Sequence, residues 1–305
     1  MQEMNANDIS SHLTAELLKE KRSDRLWRNI RFVAWFALIC FLLFKLFNNG
    51  APSAPAGGHE KYVALIRLDG MIAPDREFSA ENIVPILQKA FSDKRASGVV
   101  IDINSPGGTP VQASIIHDAI LYYKKKYNKK VIVVGEDMLT SGAYYVAVAA
   151  DQIYVNPNTL TGSIGVIMKG FGFVDLMKKL GVERRVYMTG NDKDRLDPFM
   201  PQTEGDLIKI REVMGEVQAN FALAVVTGRK NKLHGTPEEL FTGDFWSGQT
   251  AVKLGLVDHL GNLMDATQKE FNTTEFKEYG GKPAFLKMLS GQFSSSLDAM
   301  FYTYL

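Results

Sequence analysis

Between Tyr62 and Ala150 the chain alternates three times between a short strand-like run and a longer helix-like segment. YVALIRL from Tyr62, GVVIDI over Gly98–Ile103 and KVIVV over Lys130–Val134 are the strand-like runs, rich in β-branched residues. Ala80–Ser92, Thr109–Tyr127 and Ser141–Ala150 are the segments suited to helices. This alternation predicts an α/β domain built on a largely parallel sheet. In such sheets, sites form beyond the carboxyl ends of the strands. Two turns fall there: Asn104-Ser105-Pro106-Gly107-Gly108 and Thr140-Ser141-Gly142-Ala143.

Ser141 stands where strand gives way to helix, and two roles fit that position. As an N-cap, its hydroxyl would accept from the free N–H groups of the first helical turn. As a nucleophile, it would attack a carbonyl whose developing oxyanion those same N–H groups stabilise. Gly142 permits close backbone approach, and Ala143 keeps the next position small. The stretch by itself leaves both readings open.

Composition removes several classes of function. The 305 residues carry 35 Lys and Arg against 34 Asp and Glu, a formal charge of +1, so nucleic acid is not an expected partner. The densest basic run, Lys124 to Lys130, ends a predicted helix, where cations suit the negative end of the dipole. Cys40 is the single cysteine and lies in an apolar segment, which leaves no disulfide within the chain and no cysteine-based zinc site. His12, His59, His117, His234 and His259 are scattered without metal-ligand spacing. There is no GxxxxGK[ST] and no full dinucleotide fingerprint, so neither a metal nor a cofactor is expected.

The amino-terminal 60 residues predict a membrane anchor. Residues 1–29 are polar, with basic residues crowded toward Arg28, and residues 30–47 are almost wholly apolar up to Lys45. As a helix those ~18 residues would span ~27 Å, close to a hydrocarbon core of ~30 Å. Trp27 and Lys45 suit the two interfaces. The basic flank precedes the span, so the amino terminus is expected in the cytoplasm and the remainder outside it. A Gly/Pro/Ala/Ser linker occupies residues 48–60, the exported domain residues 61–274, and a tail residues 275–305. Beyond Ala150 the pattern predicts a helix near Phe173–Leu180, a strand at Arg184–Met188 and a long helix over Glu204–Gly228.

Four segments in this order, Asn104 to Gly108, Thr140 to Tyr145, Ala149-Ala150-Asp151 and Leu160 to Val166, resemble the signal peptide peptidase A (protease IV) family in its short, single-domain form. The resemblance covers about residues 62–265 and implies a serine peptidase with a Ser-Lys dyad on a Clp/crotonase-like fold. It implies Ser141 as nucleophile, Lys193 as general base, Ser163 as the serine orienting that lysine, and the N–H groups of Gly108 and Gly142 as the oxyanion hole. It further implies a homo-oligomer at the outer face of the cytoplasmic membrane, cutting hydrophobic peptides such as remnant signal peptides. In short forms the serine and lysine of one site are expected from neighbouring protomers. Ala143, where the family more often has a second glycine, and Thr109 after the glycine pair depart from the pattern without removing a catalytic atom.

The chemistry sets a condition on that lysine. A serine hydroxyl needs a base, and a lysine serves only when neutral, which requires desolvation or nearby positive charge. Asp192 and Asp194 flank Lys193, so their carboxylates must turn elsewhere, toward Arg195 or Arg184. His117 is the rival base, although its place on the helix after the glycine turn suits a surface or core residue. Thr161–Met168 contains no histidine, so a Ser-His-Asp reading lacks its histidine there. The contrasting reading of the whole chain is a catalytically silent scaffold or partner-binding domain on the same fold.

Overall fold

The computed structural model describes residues 27–42 and 61–280. Residues 27–42 form a helix, α1. Among the described residues no helix is long and apolar enough to cross a membrane. The last part of the expected span, residues 43–47, lies outside the described residues, as do the linker of residues 48–60 and the tail beyond residue 280.

The second unit, His59–Gly281, is organised around a single sheet. Its core strands are β1 (Tyr62–Asp69), β2 (Ala96–Ser105) and β3 (Val131–Thr140), paired in parallel. Helices α2 (Ala80–Ser92) and α3 (Pro110–Tyr127) make the crossovers that parallel neighbours require. Ser79 caps α2 by accepting from the Asn82 N–H, Pro110 opens α3, and Asn128 ends α3 in the left-handed region. Side chains alternate across the pleat. Val99, Ile101, Ile103 and Val133 join the core shared with the helices, and Val100, Ile132 and Val134 join a smaller one on the opposite face. Both faces are buried, which is why these strands read as continuous apolar runs.

β3 carries two neighbours along its length. Its first half pairs with β4 (Gln152–Val155) and its second half with β5 (Leu160–Gly162), both in parallel. β6 (Phe245–Ser247) closes this edge, antiparallel to β5, and β7 (His259–Leu260) pairs with β4. β3 therefore runs to Thr140, well past the β-branched stretch that marks it in sequence. The helix after it, α4 (Gly142–Ala147), stops before Ala150.

Beyond β5 come α5 (Val174–Leu180), α6 (Glu204–Arg229), α7 (Pro237–Leu240), α8 (Gly248–Lys253) and α9 (Leu263–Phe271). α6 follows the expected boundaries within a residue and starts in a capping box between Thr203 and Asp206. The strand expected at Arg184–Met188 does not form. Tyr187 is 91% exposed, and residues 184–188 pair with no strand of the sheet. A strand without a partner has no ladder for its backbone groups. Conversely, Phe276–Tyr279, inside the stretch read as a tail, adds a parallel edge strand, β8, to β1.

Candidate active site

Ser141 occupies the N-cap position of α4 but does not act as a cap. Its hydroxyl makes no capping hydrogen bond, and its backbone sits at φ 53°, ψ −124° instead of the extended region. A positive φ on a non-glycine residue is strained and persists only where its surroundings fix it. Here the Ser141 N–H donates to the Gly162 carbonyl at 2.8 Å, and the Tyr145 N–H donates to the Ser141 carbonyl at 3.0 Å. Turned this way, the serine stands out from a sharp strand-to-helix bend, the posture of an exposed nucleophile.

The Ser-Pro-Gly-Gly turn passes directly against that bend. A Cβ on Gly107 would lie 2.7 Å from the Gly142 nitrogen and 2.7 Å from the Ser141 Cβ, and one on Gly142 would lie 3.1 Å from the Gly108 nitrogen. Only glycines allow two backbones to meet so closely. The turn is held from behind. The Ile72 N–H donates to Gly107 O and the Thr109 N–H donates to Ile72 O, each at 2.8 Å. Because residues 107 and 109 make that bridge, the Gly108 N–H points to the other side, toward Gly142. Ser105 Oγ accepts from the Gly107 N–H at 3.1 Å. Two amides that make no hydrogen bond among the described residues thus lie beside one serine at the carboxyl ends of β2 and β3, the kind of group that can hold an oxyanion.

A cleft of about 510 Å³ opens at this point, and Gly108, Ser141 and Gly142 line it. Ala113 and His117 from α3, Tyr145 from α4, and Phe221 and Ala224 from α6 form its walls. His117, 7% exposed, belongs to this cleft, where the sequence suggested a surface or core role. The α6 wall has no signal in the sequence, since only the fold brings residues 217–227 across from residue 141.

Ser163 follows directly on Gly162, with φ 50° and its N–H donating to Asp244 O at 2.7 Å. It therefore sits one residue from the backbone contact that holds Ser141. Lys193 lies elsewhere, exposed on a turn whose N–H donates to Gly190 O at 3.3 Å, and it does not line the Ser141 cleft. Its acidic neighbour Asp192 is turned to Arg195 at 2.8 Å, and the Lys193 ammonium makes no ion pair among the described residues. One chain brings together Ser141, Gly108 and Gly142, with Ser163 adjacent, and leaves Lys193 apart.

A strained serine at a strand-to-helix bend, with two such amides at its side on a parallel α/β sheet, has the architecture of a serine hydrolase. Comparison with known proteins narrows the class. Residues 123–276 match the profile of peptidase family S49. The chain is 30% identical over 230 residues to a putative signal peptide peptidase SppA of Enterococcus faecium, covering 72% of this chain and 66% of that protein. It is 31% identical over 214 residues to a putative protease of Methanocaldococcus jannaschii, covering 68% of each. A Brucella melitensis protein named Na(+)/H(+) antiporter NhaA is 42% identical over 217 residues, 70% of this chain but only 29% of that protein's length. The chain belongs to peptidase family S49, the signal peptide peptidase A family of serine peptidases.

Proposed function

We propose that this protein is a membrane-anchored serine endopeptidase that cuts hydrophobic peptides, remnant signal peptides among them, at the outer face of the cytoplasmic membrane. The reading is carried by the backbone of Ser141: a strained φ of 53° with no capping bond, facing the amides of Gly108 and Gly142. In the proposed reaction the Ser141 hydroxyl attacks the scissile carbonyl while its proton passes to a neutral Lys193 amine. The oxyanion is held by the two amides, and the protonated lysine then delivers the proton to the leaving amine. Ser163 accepts the role of orienting the lysine.

Lys193 does not reach Ser141 within one chain, which supports a site shared between protomers of a homo-oligomer. Ile167 and Leu223, large exposed apolar residues lining the Ser141 cleft, give a second copy an apolar surface to cover. The apolar run of residues 30–47, with its basic flank, supports the anchor, and a substrate that partitions into lipid gives the anchor its purpose.

The test is hydrolysis of a fluorogenic hydrophobic peptide by the full chain, comparing wild type with Ser141→Ala, Lys193→Ala and His117→Ala. Loss of turnover in the first two, with kcat kept in the third whatever happens to its KM, supports the dyad. Co-assembled Ser141→Ala and Lys193→Ala chains regain part of the activity if the dyad is shared. Activity that survives Lys193→Ala removes the lysine from its role. An assembled wild type that neither cuts peptide nor takes up a fluorophosphonate puts the silent scaffold in its place. Retention in the alkali-washed membrane fraction, lost on deleting residues 1–60, checks the anchor.

A further inference from the structure

We infer that His117 is a specificity-determining residue: the cleft beside Ser141 presents an imidazole acceptor that selects substrates whose residue before the scissile bond ends in a hydrogen-bond donor. This rests on the peptidase reading above. With the scissile carbonyl held by the amides of Gly108 and Gly142, the side chain one bond from that carbonyl enters the adjoining cleft. The first turn of α3 forms the mouth, since a Cβ on Gly142 would lie 3.4 Å from the Ala113 Cβ. His117 is four residues further along the same face of α3, ~6 Å along the helix axis at 1.5 Å per residue. That distance matches the reach of a tyrosine hydroxyl.

Aromatic neighbours hold the imidazole in place. The His117 ring stands edge-on to Tyr145, with centroids 5.2 Å apart at 83°, and Tyr145 packs on Phe221 at 5.0 Å. Of the two ring nitrogens, Nδ1 faces the Asp118 carboxylate at 2.8 Å and must donate to it. Nε2 is then the acceptor in the neutral ring. It makes no hydrogen bond among the described residues. The only fully buried side-chain polar atom without a partner there is Asp102 Oδ1, so Nε2 is open to the cleft. Ser114, the other polar residue on this wall of α3, spends its hydroxyl on Val111 O at 3.0 Å. Asn220 and Thr227 are exposed on α6, on the open side of the cleft. A buried acceptor left unpaired costs more than one that is never desolvated, so a phenylalanine in the same place is penalised relative to tyrosine.

The experiment compares kcat/KM of the full chain for two fluorogenic peptides that differ only in Tyr or Phe before the scissile bond. Wild type, His117→Leu and His117→Gln are measured together. The expected result is a Tyr preference of about tenfold in wild type. In His117→Leu that ratio should approach one, mainly through a higher KM for the Tyr peptide. His117→Gln, which keeps an acceptor, should retain part of the preference and serves as the test if the leucine variant does not fold. Equal ratios in wild type and both variants overturn the inference while leaving the peptidase standing. A matched fall in kcat on both peptides also overturns it, because that marks His117 as a base. If wild type cuts neither peptide and takes up no fluorophosphonate, the peptidase reading fails first and the inference falls with it.

Discussion

The N–H of Ser141 donates to the carbonyl of Gly162 at 2.8 Å, so the end of β5 fixes the backbone of the candidate nucleophile. Gly162 itself has φ 94°, and a Cβ there would lie 2.6 Å from the Trp246 ring. Gly162→Ala should therefore strain the backbone and push β5 off β6, costing about 2 kcal/mol or more. The Ser141 bend should relax with it. Urea unfolding gives the first effect, and a slower rate of fluorophosphonate labelling in the folded variant gives the second.

Gly228, near the end of α6, sets propensity against packing. Alanine is the better helix former by ~1 kcal/mol. A Cβ at Gly228 would, however, lie 2.2 Å from the Val148 carbonyl oxygen, which follows α4 directly. Backbone cannot retreat as a flexible side chain can, so the clash wins. Gly228→Ala is expected to lower the melting temperature and to raise KM, because α6 supplies one wall of the cleft. A stabilised variant would show that the two helices can separate freely.

Arg229, 2% exposed, anchors the same helix end. It pairs with Asp258 through Nη1 at 2.8 Å and Nη2 at 3.0 Å, and its Nε donates to Gly255 O at 2.9 Å. Burial works to raise the Asp258 pKa, but the bonds and charge of Arg229 and Lys232 outweigh it and hold the carboxyl below its usual range. Arg229→Met leaves a buried carboxylate with only part of its compensation and should cost about 3–5 kcal/mol. Arg229→Met combined with Asp258→Leu should recover part of that loss in the same urea titration. The Asp258 contribution is present above the ordinary carboxylate range and lost as pH falls through its lowered pKa.

Asp102 behaves in the opposite sense. It is 2% exposed on β2, Arg67 Nη1 donates to its Oδ2 at 2.6 Å, and its Oδ1 has no hydrogen-bond partner among the described residues. Burial, with the charge of Glu136 adding and Arg67 opposing, pushes its pKa up to about 7 from 3.8. The folded protein then holds a proton that the unfolded chain has released. Stability is fullest below pH ~4 on this account and declines as pH rises to ~7, levelling off above it. Asp102→Asn should flatten the urea midpoint across that window. An unchanged slope in the variant would assign the decline to other groups.

The parallel α/β class was legible because its signal is local. Ile101, Val133 and their neighbours are buried on both faces of the sheet, so the strands appear as apolar runs, and α6 announces itself through its length. The two small-residue turns were legible as a possible site because both fall at the carboxyl ends of predicted parallel strands. β8 and the missing strand at Arg184–Met188 were not legible. Strand existence depends on a free edge to pair with, and that is a property of the assembled sheet.

By itself the sequence determined that two small-residue turns fall at strand ends, with Gly107, Gly108 and Gly142 as the residues that let two backbones approach closely. The choice between a capping and an exposed Ser141 was left to tertiary structure, because both roles use the same residue before the same helix. The Gly162 contact and the positive φ decided it. Tertiary structure alone also brought His117, Tyr145 and Phe221 into one cleft and kept Lys193 outside it. Such neighbours are set by how α3, α4 and α6 cross, and no spacing along the chain encodes a crossing.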